Sequence, residues 1–188
     1  MSAITTVLIS EDEPYQLINS LAANEAVGKI VLSDAQLDPR SGSRLNQLIE
    51  ETKTDYLLLI LPGGKVEIGP RAIERFLSVA RDSRAGWVYS DFKDDQTDHP
   101  LIDYQWGSIR DTFDFGSLVL ISKRAAQEAI ALHGIVSEEI RWGALYDLRL
   151  KLSIDSQIFR IPEPIYTRTP LDARASGERL FDYVDPRQ

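Results

Sequence analysis

The stretch from Trp142 to Arg168, WGALYDLRLKLSIDSQIFRIPEPIYTR, joins a helix bearing a carboxylate to two short strands. Ala144, Leu145, Leu148 and Leu152 recur at helical spacing and predict a buried stripe, with Asp147 and Arg149 flanking its edges. QIFRI then alternates as a strand does, and Pro162 and Pro164 bracket a sharp turn into IYTR. A carboxylate on a helix facing the end of a sheet is suited to general-base work. The same carboxylate equally suits a tie to an arginine or a loop cap. Asp91 closes WVYSD and Asp34 closes KIVLSD. Asp91 therefore stands at the carboxyl end of a predicted strand, the edge where open α/β sheets bind ligands, although a loop cap at 91, like a turn residue at 34, has the same letters.

Two further runs have chemical content. In Leu61-Pro62-Gly63-Gly64-Lys65 the paired glycines permit close approach of backbone N–H groups to a phosphate, and Lys65 supplies positive charge. The spacing is not that of a Walker motif, and an ordinary Pro-Gly turn followed by an exposed lysine has the same letters. DYQWGSIRDTFDFG, from Asp103 to Gly116, offers Tyr104, Trp106 and Phe113 as faces for sugar stacking and Asp111 or Asp114 as hydrogen-bond partners. Aromatic residues in such a run also serve simply as core. Its Asp-Phe-Gly echoes a kinase tripeptide, but no glycine-rich loop or catalytic-loop signature accompanies it, which sets kinase chemistry aside.

The elements that must position these residues alternate in the first half. Val7 to Ser10 reads as a strand, and Pro14 opens a helix whose face is Leu17, Ile18, Leu21 and Ala22. KIVLSD is a second strand, AQLDPRSGS a loop, and Leu45, Leu48 and Ile49 mark a second helix. Tyr56 to Leu61 is continuously apolar, as expected of a strand covered on both faces. A third helix starting near Pro70 buries Ala72, Ile73, Phe76, Leu77 and Ala80 before WVYSD returns as a strand. This alternation predicts a largely parallel sheet with right-handed crossovers. From Phe92 to Gly116 the rhythm lapses into a small antiparallel excursion or long loop. SLVLISK is then a strand, KRAAQEAIALHG a helix capped at Gly134, and Ser137 the N-cap of the helix that follows.

Composition narrows the functional classes. A chain of 188 residues, 43% apolar and 27% charged, can bury one good core. Its 21 basic and 29 acidic residues give a net charge of −8, which argues against an electrostatic grip on nucleic acid or anionic lipid. With no cysteine and two histidines, His99 and His133, any metal would need carboxylates. No apolar run approaches the ~20 residues of a membrane span, and the acidic N-terminal segment lacks a basic leader region. The expectation is a cytoplasmic protein, or one peripheral at the inner membrane face.

YDLRLKL followed by IFRIPEPIYTR resembles the late segment of family 2 glycosyltransferases, with its DYDLxLRL helix and IxHIPxxLYxxR strands. DYLLLILPGGKVEIGPRAIERFLSVA, from Asp55 to Ala80, is similar to that family's DYVLFLDADDxLxPxALExLLxAA, and GWVYSDF to its ADLVYSDED. The resemblance implies an α/β GT-A fold: a mostly parallel sheet flanked by helices, with a nucleotide-binding half at 1–92 and a less regular acceptor half at 93–188. It also implies more chain after Gln188 in the usual family member. The implied activity is transfer of a sugar, with inversion, from a nucleotide-sugar donor to a saccharide or lipid-linked acceptor, as in polysaccharide biosynthesis. Asp34 then matches an aspartate that meets the uracil or ribose.

The chain departs from the family at two positions. Leu61-Pro62-Gly63 stands where an Asp-x-Asp motif would hold a divalent metal, and Leu145 stands at the usual base, so that Asp147 matches only the second aspartate of DYDL. Gly63, Gly64 and Lys65 are then the candidates to steady the leaving diphosphate, Asp147, Asp91 or Asp114 the candidate base, and Asp91, Asp94 and Asp95 an unmatched alternative metal set. The same departures fit a second reading, a GT-A domain without catalysis that binds nucleotide, glycan or protein. A response-regulator-like doubly wound domain suits the composition but explains neither the Ile161 to Arg168 segment nor the irregular second half.

Overall fold

The computed structural model describes residues 3–9, 15–33, 39–62, 64–107 and 114–170. The first strand, β1 (Ile4–Ile9), is followed by α1 (Tyr15–Ala22), β2 (Val27–Ser33), α2 (Gly42–Glu51) and β3 (Tyr56–Ile60). Then come β4 (Gly64–Ile68), α3 (Ala72–Ser83), β5 (Trp87–Ser90), β6 (Phe92–Asp94) and β7 (Thr97–His99). The chain continues through β8 (Leu118–Ser122), α4 (Lys123–His133), α5 (Ala144–Asp155), β9 (Ile158–Ile161) and β10 (Tyr166–Pro170).

Six strands form the main sheet in the order β2-β1-β3-β8-β5-β9. β1 runs parallel to β2 and β3, and β5 parallel to β9. β8 is antiparallel to both β3 and β5, so the two parallel groups meet on a reversed strand. Leu57, Leu58, Leu59 and Ile60 of β3 and Leu118 to Ile121 of β8 are all buried, the pattern of strands covered on both faces. α2, α4 and α5 pack on one another, while α3 lies against β5, β8 and β9. Asn24 Nδ2, just after α1, donates to Glu74 Oε1 of α3 at 2.9 Å. The five apolar positions expected in α3 are all buried, as are Ala144, Leu148 and Leu152 in α5. Leu17 and Leu21 of α1 are buried too, but Ala22 is exposed.

Three local expectations are corrected. The LPGGK turn leads at once into a strand: β4 starts at Gly64, and Lys65 sits in it opposite Thr169 of β10. A Cβ on Gly64 would lie 2.5 Å from Thr169 O, so the glycine permits the two backbones to approach. Ser137 caps no helix; its carbonyl accepts from Ile140 N in a turn, and α5 begins at Ala144 behind Gly143. Arg149, expected at the edge of its helix, is 1% exposed.

The excursion after β5 is the β6–β7 hairpin, which joins a second sheet of order β4-β10-β6-β7. Pro162 and Pro164 therefore do more than turn the chain: β9 belongs to the main sheet and β10 to the second. Tyr166 locks the two together. It is 2% exposed, stacks on Phe92 with ring centroids 5.3 Å apart, and accepts the Ser117 N–H at 2.7 Å just before β8. Burial pushes its phenol pKa well above the ordinary range, so it stays a neutral hydroxyl.

Candidate functional site

Because β1, β2 and β3 run in the same direction, their carboxyl ends lie along one edge. Register extends that edge through Leu118, opposite Ile60, and through Ser90, opposite Ile161. Asp91 follows Ser90 directly, Ser33 ends β2, and Pro62 follows β3. This is the rim at which open α/β sheets bind ligands. Asp34, Gly63, Asp111 and Phe113 lie outside the described residues.

Asp91 is 6% exposed and held from three directions. Its Oδ1 accepts from Arg160 Nε at 2.8 Å and from Leu101 N at 2.9 Å, and its Oδ2 accepts from Arg160 Nη2 at 3.0 Å. The third arm of the guanidinium, Nη1, donates to Asp103 at 2.8 Å. Burial alone would raise the Asp91 pKa, but the Arg160 and Leu101 hydrogen bonds and the nearby positive charge outweigh it and hold the carboxyl below its ordinary value. Arg160 is pushed above its own usual range, led by the hydrogen bond to Asp91. A carboxylate so committed is a weak proton acceptor. In this geometry Asp91 pins the 101–103 segment to β9.

Asp147 occupies the first turn of α5, partly buried. Its Oδ2 accepts from Lys151 Nζ at 2.6 Å, one turn along the helix, and the same ammonium donates to Ile135 O at 2.9 Å. Asp114 is exposed: Oδ1 accepts from Gly116 N at 2.7 Å, closing a short turn, and Oδ2 lies 3.7 Å from His99 Nε2. Gly116 has a φ of 71°, and a Cβ there would strike the Tyr166 hydroxyl. Lys65 Nζ reaches Glu67 Oε1 at 2.7 Å, with both side chains well exposed.

These placements separate the candidates. Asp91, Asp94 and Asp95 do not form a cation cage, since Asp94 is bidentate to Arg168, with contacts of 3.3 and 3.0 Å. Among the described residues no group of three His, Asp or Glu side chains could hold a metal ion, and Leu61-Pro62 contributes no carboxylate after β3. The described residues do not fit the family's metal. Trp106 is 76% exposed, whereas Tyr104 packs inward beside Phe115, their ring centroids 6.4 Å apart.

Three residues that matter in this geometry were not singled out in the sequence, Arg160, Tyr166 and Arg168, and Arg149 was placed only at the edge of its helix. A lone arginine inside the otherwise apolar strand IFRI was the available cue, since a half-buried charge needs a counter-charge. A cleft of about 450 Å³ at the opposite edge was also unforeseen. Lys53, Arg81, Arg84, Lys123 and Arg124 line it with Asp55 and Tyr56. It lies at the amino end of β3 and so away from the rim that carries the candidate residues.

No protein-family model matches the sequence, and no curated protein matches it. Solved structures do match in fold. The S. aureus TarS fragment aligns over 89% of this chain with a TM-score of 0.55 and 7% identity. The TarS fragment in complex with UDP aligns over the same 89% with a TM-score of 0.57 and 7% identity. The chain spans about 60% of the length of these TarS chains. This chain has the GT-A fold: a mixed α/β sheet of six strands flanked by helices. No described helix is long and apolar enough to cross a membrane.

Proposed function

We propose that this chain is a GT-A-like domain of a family 2 type glycosyltransferase, moving a sugar from a nucleotide-sugar donor to a saccharide or lipid-linked acceptor. The observation that carries this reading is the fold match, over most of the chain, to a protein crystallised with UDP. The sequence resemblances at DYLLLI, WVYSDF and YDLRLKL fall on β3, β5 and α5, and the first two of these elements end at the rim. In this reading residues 1–92 hold the donor and 93–188 the acceptor. Backbone N–H groups at Gly63 and Gly64, with Lys65 released from Glu67, would face the diphosphate. Asp147 is the favoured base, because Asp91 is committed to Arg160 and the Lys151 contact to Asp147 is a single exchangeable ion pair. No step is assigned to a metal.

A second reading, a catalytically silent GT-A module that binds nucleotide, glycan or protein, is favoured by one observation. Two of the three candidate bases, Asp91 and Asp147, are held in close ion pairs.

Thermal-shift titration with UDP, GDP and their sugar conjugates, with and without manganese, tests the donor site, since a ligand of the native state raises Tm by mass action. Transfer of radiolabelled sugar to water or acceptor then separates the two readings. A metal-free shift lost in Lys65→Ala supports a diphosphate contact by that lysine. A shift that requires manganese would place a metal on residues other than those described. No shift with any nucleotide removes the donor site and the transferase reading with it.

A further inference from the structure

Arg149 heads the fully buried side chains by size, yet none of Nε, Nη1 and Nη2 has a hydrogen-bond partner. A guanidinium offers five N–H donors in one plane and no acceptor. Leaving such a charge unpaired in the interior is strongly unfavourable, and native structures seldom do it without a reason. Aromatic rings lie close to this ion. Its Cζ lies 4.4 Å from the centroid of Tyr146, 5.4 Å from Phe115 and 5.5 Å from Tyr104. These ring faces offset part of the charge, but no hydrogen-bond acceptor meets its N–H groups. Trp87 adds to the imbalance: its Nε1–H is also buried without a partner, and its ring lies 5.4 Å from that of Phe115. The neighbours of Phe115 thus hold unspent donors from two side chains. Tyr146, on the first turn of α5, is 37% exposed, so the cage has one wall at the surface, and the helix amino terminus there also favours negative charge.

We propose that this aromatic cage is a receptor for an oxyanion of the ligand, a carboxylate or phosphate that enters past Tyr146 and is held by the Arg149 fork. The chemistry is that of guanidinium and oxyanion, and two sources supply it: the diphosphate of a nucleotide donor, or the carboxylate of a uronic acid in donor or acceptor. Assigning it to a sugar-transfer ligand rests on the reading above; the anion receptor itself does not.

The test is calorimetric titration of the wild type, Arg149→Met, Arg149→Lys and Tyr146→Ala with pyrophosphate, glucuronate, UDP, UDP-glucose and UDP-glucuronate, alongside melting curves without ligand. Met fills similar volume without charge, so Arg149→Met is expected to melt at or above the wild-type temperature. It is also expected to bind the cognate oxyanion about tenfold to a hundredfold more weakly, with Lys recovering part of the loss. Tyr146→Ala, at an exposed position, should weaken the same ligand without unfolding the chain. Losses shared by pyrophosphate and both UDP-sugars identify the diphosphate; losses confined to glucuronate and UDP-glucuronate identify the uronate. The proposal is overturned if Arg149→Met melts well below the wild type, which would show that Arg149 has a partner within the chain. It is equally overturned if no oxyanion binds, or if all affinities survive within about twofold. UDP binding indifferent to Arg149 would end the proposal but spare the transferase reading. Glucuronate or pyrophosphate binding without any gain from the nucleotide would do the reverse.

Discussion

Asp91→Asn is the sharpest available test of how the rim is built, because it separates a structural carboxylate from a catalytic one. Asn is nearly isosteric, and its Oδ1 can still accept the Leu101 N–H. Its amide nitrogen, however, would face Arg160 Nη2 where an acceptor now stands at 3.0 Å. One charge-assisted bond becomes a donor–donor conflict, and the remaining bond from Arg160 Nε loses the charge of its acceptor. The side chains are 8% and 16% exposed, so solvent compensates little. Removing one partner of a buried ion pair costs about 3–5 kcal/mol. Asp103 still holds the third arm of Arg160, and the Leu101 bond survives, which places this case near about 3 kcal/mol. For a chain of this length that is a fall in Tm of roughly 6–12 °C.

The effect has a pH signature. The Asp91 pKa is lowered on folding, so its contribution is fully present above the unfolded value, near 3.8, and is lost as pH falls through the lower folded value. Melting curves of wild type and variant should therefore run a constant distance apart from neutral pH to about 5 and converge below about 4. Differential scanning calorimetry across this range measures it. A variant that melts within about 1 °C of wild type at pH 7, while losing sugar transfer, would refute the structural assignment and restore Asp91 as a base.

Other substitutions probe the second sheet and the remaining candidates. Gly116→Ala should lower stability by about 2–3 kcal/mol, because alanine is strained at positive φ and its methyl would displace the Tyr166 hydroxyl from Ser117 N; chemical denaturation with unchanged m-value is the readout. Lys65→Ala removes an exposed pair with Glu67 and should change stability by no more than about 0.5 kcal/mol, so any loss of a UDP-induced shift reports binding alone. Asp147→Asn breaks a single i,i+4 contact and should cost about 0.5 kcal/mol, whereas sugar transfer should drop about 10²-fold or more; unchanged turnover would remove Asp147 from the base position.

What the sequence determined by itself is the local layer of this protein. Hydrophobic period marked α3 and α5, and the continuous apolar run at 56–61 marked β3, because helix and strand periods are written in neighbouring residues. The motif resemblances carried the GT-A fold from the same local text. What only the tertiary structure decided is who meets whom. The reversal of β8 between β3 and β5 depends on pairing across more than twenty-five residues on each side, for which no local signal exists. Arg160 meets Asp91 from 69 positions away, converting a candidate base into a structural anchor. The β4–β10 pairing turned an apparent phosphate loop into the start of a strand. Arg149 is the extreme case: its place beside Asp147 on the helix reads as surface, and only the packing of Tyr104, Phe115 and Tyr146 around it makes it a buried, unspent donor. Periodicity fixes which face of an element is apolar, but the electrostatic state of a side chain is set by its full surroundings, and those are assembled only when distant segments pack.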